Sequence, residues 1–208
     1  MKILIAIPCM DQVPFLFAQS LASLQKPENC ECTLAMRSGS LIYTSRNGLA
    51  TQAVEMEADY VFWMDSDMTF PQDALVRMLA TMQENDLDIL SGIYFRRVKP
   101  FTPTLFDKLD IDGEACEWSE FKEIPAELFE IGGCGFGCVL MKTDVFFDVQ
   151  TKFGNMFAPL GNNGEDLAFC WRARQCGYRI WCDPTVECGH VGYNVIDSKF
   201  YKAYHNQL

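Results

Sequence analysis

Short apolar runs alternate along the chain with longer segments whose apolar positions recur three or four residues apart. That alternation is the signature of βα units around a parallel sheet. KILIAIP, without polar alternation, predicts a first strand covered on both faces, and VPFLFAQSLASLQ predicts the helix after it. CTLAMR reads as a second strand. YTSRNGLATQAVEME reads as a helix whose first free N–H groups Thr44 or Ser45 can cap. DYVFWMDSD is a third buried strand, and Pro71 stands where the helix PQDALVRMLATMQE needs a preset φ and no donor. DILSGIYF is a fourth strand. Residues 98–130 break the pattern: Pro100, Pro103, Pro125, many acidic residues and an IDGE turn between TPTLFDK and ACEWSEF predict an inserted β-hairpin, a lid or rim. GGCGFGCVLMK then reads as a glycine-rich strand and TDVFFDV as a short helix. GNNGEDLAFCWRARQCG is a loop opening a helix that Gly177 ends, and YRIWCD is the last strand. The expected class is α/β, a Rossmann-like, mostly parallel sheet flanked by helices.

With 208 residues, about half of them apolar, the chain is long enough to bury a core as one domain. The formal charge of −11, with no basic block, excludes broad nucleic-acid binding and leaves an anionic ligand dependent on a metal or a few placed arginines. No stretch reaches the apolar length of a membrane span and MKILIAIPCM lacks the marks of a secretory signal, so a cytoplasmic protein is expected. The ten cysteines contain no CxxC pair. Cys170, Cys176, Cys182 and Cys188 straddle a predicted helix and strand, so mostly reduced thiols are expected rather than disulfides or a zinc site.

Four constellations carry candidate chemistry. Asp65 and Asp67 end an apolar strand, and alternation on an extended strand turns both to one side with Ser66 on the other. Hard oxygen donors at that spacing suit Mg²⁺ or Mn²⁺, and the crevice beyond strand ends is where open α/β sheets bind ligands. Glu165 and Asp166 fall in the first turn of a helix, where capping alone would account for them. His190 follows the last strand, and Gly132, Gly133, Gly135 and Gly137 let a ligand approach the backbone without spelling a dinucleotide fingerprint.

In their order and spacing, IAIPCMDQ, SRNGLATQAVEMEADYVFWMDSDMTFP, GIYFRR, GGCGFGCVLMKTDVF, GEDLAFCWRARQCGYRIWCDP and CGHVGY resemble glycosyltransferases of the GT-A fold, close to family-2-like bacterial and viral members. The resemblance covers nearly the whole chain outside 98–130 and the last dozen residues. It implies a nucleoside-diphosphate-sugar donor and a carbohydrate or other hydroxyl acceptor. Pro8 and Cys9 would border the nucleoside, Arg37 and Arg46 would contact base or phosphates, and Asp65 and Ser66 would lie on the donor side. Asp67, with Asp65 and His190, would hold Mn²⁺ or Mg²⁺. Asp166 would take the acceptor's proton in an inverting transfer, provided burial or an anionic neighbour such as Glu165 raises its pKa against the helix N-terminus. Two other classes compete. A nucleotidyltransferase would carry a glycine- and lysine-rich phosphate loop after the first strand, which IPCMDQVP lacks, and a non-catalytic sugar-nucleotide binder would tolerate loss of Asp166.

Overall fold

The computed structural model describes residues 1–112 and 115–206. The first half of the chain forms β1 Lys2–Cys9, α1 Phe15–Ser23, β2 Glu31–Ser38, α2 Ile42–Glu55, β3 Tyr60–Met64, β4 Met68–Thr69, α3 Ala74–Glu84 and β5 Ile89–Ile93. Six strands follow: β6 Leu105–Phe106, β7 Lys108–Asp112, β8 Ala115–Ser119, β9 Phe129–Ile131, β10 Gly133–Cys134 and β11 Cys138–Lys142. The chain then forms α4 Asp144–Phe153, α5 Glu165–Gln175, β12 Ile180–Glu187, β13 Gly189–Val191, β14 Val195–Ile196 and α6 Ser198–His205.

Seven strands make the central sheet in the order β2-β1-β3-β11-β5-β12-β9. β2, β1 and β3 run parallel, as do β5 and β12; β11 enters antiparallel between β3 and β5, and β9 closes the edge antiparallel to β12. The expected α/β class with a mostly parallel sheet is borne out. Strand periodicity divides the core between the two faces. Leu4, Ala6, Val61, Trp63, Val139 and Met141 pack on one side with Leu49 of α2, Phe146 of α4 and Phe169 of α5. Ile3, Ile5, Phe62 and Leu140 pack on the other with Phe17 of α1 and Leu75, Met78 and Met82 of α3. Both faces are covered, which is why the strands read as continuous apolar runs.

Several local expectations are corrected. α2 begins at Ile42 behind Leu41, with no side-chain cap, so Thr44 and Ser45 lie inside the helix. Pro71 precedes α3 by three residues; its carbonyl accepts the Ala74 N–H at 3.0 Å in a turn. β3 ends at Met64, and Asp65, Ser66 and Asp67 form a turn in which the Met68 N–H reaches the Asp65 carbonyl at 3.3 Å. The glycine-rich run is two strands in different sheets, β10 paired with β6 and β11 in the central sheet, with Gly135–Gly137 passing between them. The inserted hairpin is present as β7 and β8, paired from Lys108 with Ser119 to Asp112 with Ala115. Gly113 and Glu114 of the expected IDGE turn lie outside the described residues.

Candidate active site

The carboxyl ends of β1, β2 and β3 open into a cavity of about 450 Å³ whose walls include Pro8, Cys9, Asp65, Asp67, Asp166 and His190. The parallel register sets Pro8 of β1 beside Arg37 of β2 and Ala6 beside Trp63 of β3, so the three strands end together. Ser66 also lines the cavity: a turn, unlike an extended strand, does not send alternate side chains to opposite sides. The Asp65 N–H donates to the Gly137 carbonyl at 3.3 Å, which fastens this turn to the break between β10 and β11.

His190 reaches Asp67 through backbone pairing. After the turn the chain continues as β4, which pairs antiparallel with β13 so that Met68 faces His190 and Thr69 faces Gly189. The Val191 N–H also donates to the Asp67 carbonyl at 2.7 Å. Gly189 is required by the closeness of this crossing, since a Cβ there would lie 2.6 Å from Val195 Cγ1. His190 Nδ1 contacts the Phe95 carbonyl at 2.9 Å, leaving Nε2 3.5 Å from Asp67 Oδ2. One ring nitrogen held by a backbone carbonyl, with the other left to face the cavity, is how proteins orient a metal-binding imidazole. Burial works against the charge of Asp67, but the imidazole of His190 facing it and the charge of Arg97, 2.9 Å away, hold its carboxyl below the usual range. Asp67 and His190 fit a divalent cation as two hard or borderline donors facing one cavity. Among the described residues no group of three His, Cys, Asp or Glu gathers, so such an ion would complete its shell from a ligand and water.

Asp166 also lines the cavity, in the first turn of α5. Its Oδ1 accepts the Leu167 N–H at 2.7 Å, while Oδ2 faces Gly135, 3.6 Å from where a Cβ would stand. Desolvation first and the charge of Glu165 second raise its pKa to about 6, against the Leu167 N–H and the Arg46 charge, which lower it. The helix N-terminus is thus overruled by burial and an anionic neighbour. Glu165 itself is engaged elsewhere: its Oε1 accepts from Arg46 Nε at 3.1 Å.

The two arginines implied as donor contacts do not reach the cavity. Arg37 lies on the edge strand β2 with its guanidinium against Gly48 of α2. Arg46 is 1 % exposed and turned inward, with Nη2 donating to Asp65 Oδ1 at 2.7 Å. Arg96 and Arg97, at the end of β5, line the cavity instead. The need of an acidic chain for a few placed arginines points to them, since the apolar run DILSGIYF leads straight into Arg96 and Arg97. Tyr94 was also missed. Its hydroxyl accepts the Gly137 N–H at 3.1 Å, and its ring stands edge-on to His190 with centroids 5.6 Å apart. Burial, with Asp65 and Asp166 adding, pushes the Tyr94 phenol up, so it stays protonated. A tyrosine in an apolar run gives no sequence signal that separates it from core.

No curated protein matches the sequence. Among solved structures, A197 from STIV superposes with a TM-score of 0.66 at 18 % identity, over 95 % of this chain and 94 % of that one. GalNAc-T7, solved with UDP, GalNAc and Mn²⁺, gives a TM-score of 0.62 at 9 % identity over 92 % of this chain but 43 % of its own. S. aureus TarS 1–349 gives 0.53 at 14 % identity over 88 % of this chain and 58 % of its own. This chain therefore spans about half the length of the latter two, and at such identities the likeness carries the GT-A fold alone. The family model described as Glycosyl transferase family 2 matches residues 43–149, from α2 through the Asp65–Asp67 turn to α4. That match covers just over half of the chain, so the chain belongs to glycosyl transferase family 2 and is a glycosyltransferase of the GT-A fold.

Proposed function

We propose that this glycosyltransferase moves a sugar from a nucleoside diphosphate to an acceptor hydroxyl with inversion, using Asp166 as base and a divalent cation, Mn²⁺ or Mg²⁺, at Asp67 and His190. The observation that carries the reading is the pairing of opposite environments in one cavity: Asp67 held below the usual range beside His190 and Arg97, and Asp166, which lines the same cavity, raised to about 6. Pro8 and Cys9 border the nucleoside, with Ser66 beside them at the strand ends. Burial, then Asp11, pushes the Cys9 thiol up, which suits a packing surface rather than a nucleophile. GalNAc-T7, which shares the fold, was solved with UDP and Mn²⁺ and supports this class of donor and ion.

A divalent cation at Asp67 and His190 would offset the charge that develops on the leaving diphosphate. Arg97, half exposed beside Asp67, stands where it can also pair with phosphate oxygens. Asp166 Oδ2 receives the proton of the acceptor hydroxyl as its oxygen bonds to the anomeric carbon and the bond to the diphosphate breaks. A pKa near the working pH makes Asp166 a stronger base than an ordinary aspartate while leaving it ionised at neutrality. The β7–β8 hairpin, joined to the cavity wall through the edge-to-face contact of Phe106 with Trp118, serves as its rim on the acceptor side. The test is diphosphate release from a panel of nucleotide sugars with and without chelator, followed by the anomeric configuration of the product. Mn²⁺-dependent release and an inverted product are expected; full activity in excess chelator would remove the cation, and retention would remove Asp166 as base.

A further inference from the structure

Arg46 is a charge in the core. Its guanidinium joins two segments distant in sequence, with Nη2 on Asp65 Oδ1 at 2.7 Å and Nε on Glu165 Oε1 at 3.1 Å. Its central carbon lies 5.6 Å from the Trp63 ring centroid and 5.2 Å from that of Phe136. Nη1 is buried with no hydrogen-bond partner, and the adjoining π faces supply part of what that nitrogen lacks. Behind these rings Phe146, Phe157 and Phe169 continue the aromatic packing, with Phe157 stacked on Phe169 at 4.6 Å.

A role in stability alone accounts poorly for this arrangement. Buried ion pairs contribute little net stability, and apolar residues of similar volume commonly do as well or better. Here both carboxylates belong to segments that line the cavity: Asp65 opens the turn that carries Asp67, and Glu165 directly precedes Asp166. Asn47, next in α2, adds a third tie from the same helix, its Oδ1 accepting the Phe157 N–H at 3.1 Å.

We infer that Arg46 is a positioning residue: its enclosed guanidinium joins the Asp65–Asp67 turn to the first turn of α5, so that the donor end and the proton-accepting end of the cavity keep one fixed separation. The inference rests on the assignment of Asp166 as base only for its kinetic consequence. Misplacement of reacting groups by about 1 Å can cost about 100-fold in rate.

Arg46→Lys tests it, since an ammonium keeps the charge but cannot span both carboxylates in the same fork. In hydrogen exchange read by mass spectrometry, peptides covering Asp65–Met68 and Gly164–Ala168 are expected to lose protection together. In kinetics, kcat for transfer is expected to fall about 10- to 100-fold, with the donor KM changed by less than about threefold. Loosening of only one segment, or wild-type exchange in both, would overturn the inference. So would a weakened donor KM at unchanged kcat, which would make Arg46 a nucleotide contact. Glu165→Gln keeps an acceptor for Nε and removes one charge; it gives the same paired loosening at smaller amplitude and decides the matter if Arg46→Lys does not fold. Because exchange needs no turnover, a failure of the transferase mechanism and a failure of the coupling are told apart.

Discussion

The two ends of the cavity use the same residue type in opposite ways. Asp67 sits on a turn beside His190 and Arg97, and their charges hold it anionic despite partial burial. Asp166 sits at a helix N-terminus, where an anion is ordinarily stabilised, yet burial and Glu165 push it up to about 6. Polar and cationic partners close to one carboxylate and desolvation of the other separate their proton affinities, the separation that the proposed pairing of a cation site with a base requires. Arg46 joins the two segments, paired with Asp65, which opens the first, and with Glu165, which precedes Asp166 in the second.

The largest effect that separates the two ends comes from Asp166→Asn, which preserves shape and removes the proton acceptor. Transfer is expected to fall about 10²- to 10⁴-fold while nucleotide and Mn²⁺ affinities stay near wild type. A transfer rate equal to wild type would remove the distinction between the two ends. At the other end, Asp67→Ala and His190→Ala should each weaken Mn²⁺ binding by roughly 10- to 100-fold in a metal titration. If His190→Ala lowers only the melting temperature and leaves the titration unchanged, the imidazole is structural and Asp67 binds the ion without it.

The pH profile sharpens the comparison further. In the free enzyme Asp166 must be ionised to act as base, so kcat/KM should fall about tenfold per pH unit below an apparent pKa near 6. Asp166→Asn should lack that limb. The smallest effect is on stability. A carboxyl raised from 3.8 to about 6 on folding binds its proton more tightly in the folded chain, so its favourable contribution is complete below 3.8 and is lost as the pH rises through about 6. Asp166→Asn should therefore gain stability over wild type between pH 4 and pH 8, by no more than about 3 kcal/mol, read as a growing difference in melting temperature. A constant difference across that range would mean that Asp166 does not titrate as described.

The strands and helices that build the cavity were legible because both faces of the sheet are covered. Runs such as KILIAIP and YVFWM have no polar alternation, and α3 carries its apolar positions at helical spacing. The Asp65–Asp67 turn, Asp166 and His190 were legible as chemistry because polar groups at the ends of such runs need partners. The ends of elements were less so: α2 starts at Ile42 without a side-chain cap, and β13, β14 and α6 are too short or too polar for periodicity to mark.

By itself, then, the sequence determined the α/β class and the strand ends at which polar residues break the apolar runs, since these follow from hydrophobic period and from the desolvation of charged groups. Which charge meets which was decided by the tertiary structure. Arg46 and Arg97 are both arginines next to helix or strand residues, yet one is 1 % exposed and bound to two carboxylates while the other is 49 % exposed at the cavity. Likewise, the pairing of β4 with β13 brings His190 to Asp67, and the packing of α5 against β10 buries Asp166. Pairing energies and proton affinities depend on distance and on access to water through space, and those quantities exist only once the chain has folded.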